Sequence, residues 1–177
     1  AELQLEEPPT DVTLKPGEDQ AVWAERLEGV ALTNGSLRLA SGVRLTDLPG
    51  YADGVWWVQD AAASLAAKLI GDVSGKAVAD LCAAPGATAL QLASMGAKLT
   101  AIDISRQRIA RLKENAERAK LAFEIVEQDA RTWRPASLLD AVMIDGWLPT
   151  ALRHRITSAT QAALARLDMS GITPLVV

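Results

Sequence analysis

Cysteine and histidine are almost missing from this chain: its 177 residues hold Cys82, His154 and no other residue of either type. A lone cysteine closes no disulfide within the chain, and with a single histidine it falls short of any His/Cys zinc set. Long apolar runs are missing too, since none approaches the roughly 20 residues that a membrane helix needs. The first residues, Ala1-Glu2-Leu3-Gln4-Leu5-Glu6-Glu7, are acidic where a signal peptide is basic and then apolar. Nor is there an excess of positive charge. With 18 Lys+Arg against 22 Asp+Glu the net charge is −4, so any contact with a nucleic-acid backbone has to come from a local patch. Internal repeats and low-complexity segments are absent. These absences lead us to expect a soluble, cytoplasmic, monomeric protein with no metal and no membrane partner.

What is present is apolar material, 49% of residues, enough for one well-packed domain with a small appendage. Ala1 in place of an initiating Met, and the apolar ending Pro174-Leu175-Val176-Val177, suggest a segment of a longer protein. The character of the chain changes near Gly50. Before it, Pro8-Pro9, Pro16-Gly17, Asn34-Gly35 and Pro49-Gly50 punctuate short alternating stretches such as Ser36-Leu37-Arg38-Leu39. We read residues 1–55 as a small α+β subdomain with one helix around Ala21 to Leu27.

Residues 56–177 carry a different periodicity, with five βα-like units. Asp60 caps an expected helix through Ile70. Ala77 to Cys82 is a short apolar strand, followed by a helix to about Met95. Lys98 to Asp103 is the second strand, Ser105 a helix cap, and Ile109, Leu112, Ala116 and Ala119 the buried face of the next helix. Phe123 to Asp129 and Leu139 to Asp145 read as further strands, each ending in an acid. A helix through Gln161 to Leu167 precedes a last strand at Leu175 to Val177. Strands alternating with helices imply an α/β fold with a doubly wound, mostly parallel sheet, whose ligand sits beyond the carboxyl ends of the strands.

The first strand leads into Cys82-Ala83-Ala84-Pro85-Gly86, where small side chains let a ligand approach the backbone and Gly86 can turn as other residues cannot. Asp103 ends the next strand, where an acid accepts hydrogen bonds from both hydroxyls of a ribose. The pair points to an adenosine-type cofactor; a tight corner with a helix-capping Asp is the plainer alternative. Dinucleotide binding needs three spaced glycines and this loop has one, and no Gly-Lys-Ser/Thr sequence is present for a triphosphate. A cofactor without a phosphate chain, such as S-adenosylmethionine, fits better.

Three segments then carry a resemblance: Tyr51-Ala52-Asp53-Gly54-Val55-Trp56-Trp57-Val58-Gln59-Asp60, Asp80-Leu81-Cys82-Ala83-Ala84-Pro85-Gly86, and Asp103-Ile104-Ser105 with Arg108 and Arg111. In order and spacing the chain resembles the NOL1/NOP2/Sun family of RNA cytosine-5 methyltransferases, nearest to its bacterial Sun (Fmu) branch. The resemblance implies a Rossmann-like, S-adenosylmethionine-dependent methyltransferase fold, and 5-methylcytosine formation in RNA of the small ribosomal subunit. By position it implies that Cys82, Ala83, Ala84, Pro85, Gly86, Ala87 and Thr88 form the cofactor loop. Asp103 would be the ribose acid, Asp129 the acid beside the adenine, and Asp145 an acid facing cofactor and target base. Residues 1–55 would be an RNA-contacting subdomain, and Arg153 and Arg155 would meet RNA.

Family chemistry rests on a cysteine thiolate that adds to C6 of cytosine, so that C5 becomes enamine-like and accepts the methyl. A second cysteine, in an Asp-Ala-Pro-Cys motif, releases the product. Here Asp145 is followed by Gly146-Trp147-Leu148-Pro149, and the other cysteine would fall past Val177, so no catalytic cysteine is expected in these residues. Cys82 ends a strand beside the loop and reads as a small buried residue. The family's Gly-Gly-Lys-Thr reads Gly86-Ala87-Thr88-Ala89. These departures leave a non-catalytic RNA-binding or scaffold module as the alternative to an enzyme. Arg106, Arg108, Arg111, Lys113, Arg118 and Lys120 read as a solvated helix face, and we expect at least one of Trp56 and Trp57 to pack in the interior.

Overall fold

The alternation around Leu37-Arg38-Leu39 becomes a strand with buried, exposed and buried side chains in turn, the pattern of a sheet with one covered face. The computed structural model describes residues 9–144 and the backbone of residues 175 and 176. Its first unit contains β1 (Thr10–Leu14), α1 (Gln20–Arg26), β2 (Val30–Ala31), β3 (Leu37–Leu39) and β4 (Trp56–Val58). The strands form an antiparallel sheet in the order β2-β3-β1-β4. β4 extends that sheet through Val58, past the division expected at residue 55.

Asp11 and Arg38 face each other across β1 and β3. The guanidinium grips the buried carboxylate through Nε at 2.8 Å and Nη2 at 2.9 Å, and holds it below the ordinary aspartate range. A lowered carboxylate stabilises the fold above its unfolded-state range and loses that contribution as pH falls through the folded value. Trp23, Leu37, Leu39 and Trp56 fill the core on one face of this sheet. Each buried large side chain contributes about 1.5–3 kcal/mol.

The second unit follows the expected alternation as far as β7, with α2 (Ala61–Leu69), β5 (Ala77–Leu81), α3 (Ala87–Ser94), β6 (Lys98–Asp103), α4 (Arg106–Arg118), β7 (Glu124–Glu127), β8 (Ala141–Ile144) and β9 (Leu175–Val176). The strands lie in the order β7-β6-β5-β8-β9, and every pairing is parallel. Val78, Ala79 and Asp80 are buried in succession, as a strand covered on both faces requires. The Asp60 carboxylate caps α2 by accepting from Ala62 N and Ala63 N. Ser105 caps α4, whose 3-4-3 stripe of Ile109, Leu112, Ala116 and Ala119 is buried.

Two expectations need correction. β7 ends at Glu127, so Asp129 lies in the following turn rather than at a strand end. β7 and β8 are joined by turns without a helix, because Pro135 and the polar run about it interrupt any 3.6-residue period. The strand expected to end at Asp145 is described through Ile144. The helix expected at Gln161 to Leu167 lies outside the described residues.

The two units share an interior. Trp57 packs with Leu90, Ala116 and Ala119. Trp57 Nε1 donates to Gln59 Oε1 at 3.2 Å, Gln59 Nε2 to Gln91 Oε1 at 2.7 Å, and Gln91 Nε2 to Ser64 O at 2.9 Å. Arg118 leaves the solvated helix face assigned to it: Nη1 donates to Tyr51 O and Trp56 O, and the guanidinium lies 4.2 Å from the Tyr51 ring centre. Gly54, at φ +66°, sits so close beneath that helix end that a Cβ would stand 2.0 Å from Arg118 O. Gly54→Ala is therefore expected to lose about 2–4 kcal/mol of stability, measured by denaturant unfolding, because neither the turn nor the helix terminus can yield.

Candidate functional site

At the carboxyl end of β5 the chain turns sharply at Cys82, whose φ of +69° is left-handed and uncommon for a residue with a side chain. Ala83 N donates to Ile102 O at 3.0 Å and keeps the loop on β6. Ala84 N donates to Asp103 Oδ2 at 3.2 Å. Asn115 Nδ2 donates to Pro85 O at 3.1 Å. Gly86, at φ +117°, opens α3, and a Cβ there would meet Leu112 Cδ1 at 2.4 Å. The turn expected of Gly86 is present, and the residue also packs closely against Leu112 of α4.

Asp103 ends β6 as expected, with its side chain wholly buried. Its Oδ1 accepts from Ser105 N at 2.8 Å and from Arg108 Nη2 at 2.9 Å. The same carboxylate thus braces the β5 loop and closes the corner into α4. Gln128 N donates to Asp103 O at 3.0 Å, which draws the turn after β7 to the same edge. In that turn Arg131 Nε lies 3.0 Å and 2.9 Å from the two Asp129 oxygens, with Nη2 on Oδ2. These bonds hold the Asp129 carboxyl below its ordinary range.

The segment from Cys82 to Thr88, whose last two residues open α3 rather than extend the loop, thus meets Asp103 and Asp129 at one edge of the sheet. Asp145, Arg153 and Arg155 lie outside the described residues. Trp56 and Trp57 are both interior, at 0% and 1% exposure, so neither offers a face to an RNA base. Arg108, expected on a solvated helix face, instead turns its guanidinium onto the Asp103 carboxylate, while Arg131 and Asn115 carried no expected role. Arg108 stands five positions after Asp103, inside the first turn that Ser105 caps, and that spacing was the available signal. A separate groove of about 500 Å³, lined by Asp11, Asn34, Arg38 and Asp60, shares no residue with this cluster. Among the described residues no group of His, Cys, Asp and Glu is arranged to hold a metal, and no helix is long and apolar enough to cross a membrane.

Residues 78–171, more than half of the chain, match the family described as "Methyltransferase domain". The chain belongs to that family. The chain is 38% identical over 115 residues to ribosomal RNA small subunit methyltransferase B of Serratia proteamaculans, covering 62% of this chain and 27% of that protein. With the protein of the same name from Cronobacter sakazakii it shares 31% over 135 residues, 70% of this chain and 32% of the relative. The chain thus spans about a quarter to a third of the curated relatives it matches. A methyltransferase homolog protein from Pyrococcus horikoshii superposes with TM-score 0.75 at 15% identity, covering 98% of this chain and 64% of that one. NSun6 from Pyrococcus horikoshii gives 0.59 at 21%, covering 74% and 38%. The structures show a shared fold, and the sequence relatives uphold the resemblance to the NOL1/NOP2/Sun family.

Cys82 has the electrostatics of an inert thiol. Burial pushes its pKa up, the carboxylates of Asp103, Asp80 and Asp129 add to the rise, and Arg108 opposes it. Cys82 should react with iodoacetamide at pH 8 at least about tenfold more slowly than a free small-molecule thiol; equal rates would refute this account. Asp129 should titrate below the ordinary value of 3.8, followed by carboxyl-carbon NMR, and Arg131→Ala should return it toward that value.

Proposed function

We propose that this domain binds S-adenosylmethionine and serves methyl transfer to cytosine C5 in RNA, with ribosomal RNA as the substrate class. The observation that carries the reading is the buried Asp103 carboxylate at the end of β6, hydrogen-bonded to the loop that ends β5. Its chemistry fits a nucleoside: an acid at this strand end accepts ribose hydroxyls, and the small residues Ala83 and Ala84 let a ligand reach the backbone. The single loop glycine suits a cofactor with no pyrophosphate. When bound, that cofactor supplies a methyl group on a positively charged sulfur. Asp103 holds the ribose, Asp129 stands beside the adenine, the segment from Cys82 through Thr88 lines the cofactor, and Asp145 faces the base. Arg153 and Arg155 contact RNA phosphates, and the protein works in the cytoplasm as a monomer.

A second reading, a non-catalytic RNA-binding module, is favoured by Leu148, which stands where the family's Asp-Ala-Pro-Cys motif has its cysteine. Cys82 does not replace it: the thiol is only half-buried, against the buried residue expected, but it stands among carboxylates that push its pKa up. On this basis the 177 residues bind cofactor and do not by themselves transfer methyl groups.

Calorimetric titration with S-adenosylmethionine tests the main reading. The native chain should bind, and Asp103→Ala should weaken binding about tenfold or more, the cost of losing hydrogen bonds to a charged acceptor. Binding unchanged in the variant would remove Asp103 from the site. Transfer of a labelled methyl to ribosomal RNA by these 177 residues would overturn their assignment as inactive.

A further inference from the structure

The carboxylate on which the cofactor reading depends is already occupied by this chain's own groups. Asp103 accepts from Ser105 N at 2.8 Å, Arg108 Nη2 at 2.9 Å and Ala84 N at 3.2 Å, and its side chain has no exposed surface. A carboxylate offers about four lone-pair positions. Three are taken, and a ribose diol needs two. The backbone donors cannot leave: Ser105 N belongs to the corner that starts α4, and Ala84 N to the loop pinned by Ala83 on β6 and by Asn115 on Pro85. Arg108 can leave, because its side chain is 48% exposed and carries its guanidinium on a flexible stem.

We propose that Arg108 is a latch on the nucleoside pocket: in the free protein its guanidinium stands where a ribose hydroxyl would bind Asp103, and a docking nucleoside displaces it. The proposal rests on the reading of Asp103 as the ribose acceptor. The neighbouring acid repeats the arrangement, since Arg131, 72% exposed, clasps Asp129 in the turn after β7. Each acid of the cluster thus has an internal cation that is open to water and free to swing away. The ligand meets a filled and neutralised edge, and its affinity is lowered by the cost of parting Arg108 from Asp103.

S-adenosylhomocysteine titrated into the 177-residue chain and into its Arg108→Met variant, which keeps a long stem without donors, tests this. A half-exposed ion pair is worth up to ~1 kcal/mol, a factor of about five, so the variant should bind about fivefold more tightly. That result, or binding by the variant alone, supports the latch. Equal or weaker binding by the variant overturns it and leaves the cofactor reading standing. No binding by either protein overturns both. Should Arg108→Met fail to fold, nitrogen-15 NMR of the native chain decides: the Arg108 guanidinium signals should shift and sharpen toward those of a free arginine on saturation. Unchanged signals in the complex overturn the latch.

Discussion

The buried carboxylate of Asp103 organises the carboxyl edge of the parallel sheet. It takes donors from three places far apart in their demands on the chain: the loop after β5, the corner after β6, and the first turn of α4. A buried acid with no donors is costly, whereas one surrounded by N–H groups fixes the geometry of all of them. The left-handed turn at Cys82, the seat of Gly86 on Leu112 and the Asn115 tether on Pro85 all stand beside that centre. The loop after β5 is thus shaped before any ligand arrives, with small residues because two helices and a strand crowd it.

A second set of contacts ties the small antiparallel sheet to this edge. Gln91 lies one turn along α3 from Thr88 and receives Gln59 from the sheet side, while Arg118 at the far end of α4 grips the backbone of Tyr51 and Trp56. These are buried polar contacts with defined partners, so they specify one relative placement of the two units more sharply than apolar packing does. α3 and α4, which hold the loop and Asp103, are the same helices that carry the small sheet. A surface built on that sheet is therefore held in fixed register with the carboxyl edge of the parallel sheet.

Much of this could be read from the residues. Helix caps at Asp60 and Ser105, the buried stripe of α4, the strand from Lys98 to Asp103 and the turn at Gly86 rest on local rules of period and side-chain chemistry. Other features could not be read so. The β7 strand stopped short of Asp129 because the Asp129–Arg131 pair closes a turn, a local bond that competes with the ladder. Arg118 looked like one cation among several on a helix face, and only the approach of Tyr51 and Gly54 took it out of water. Trp56 and Trp57 are consecutive and point to opposite sides of β4, yet both are buried, since the small sheet has a core on one face and α3 and α4 on the other.

Period, capping residues and the Asp80 to Gly86 segment determined the fold class, the order of the elements and the place of the loop, because each depends on neighbours a few positions away. The tertiary structure decided what each polar group touches. Ala84 and Asp103 are 19 residues apart, and the parallel pairing of β5 with β6 brings the loop amide onto the buried carboxylate. Hydrogen bonds form over about 3 Å, and whether two groups come that close is set by the packing of distant elements rather than by their spacing in the chain.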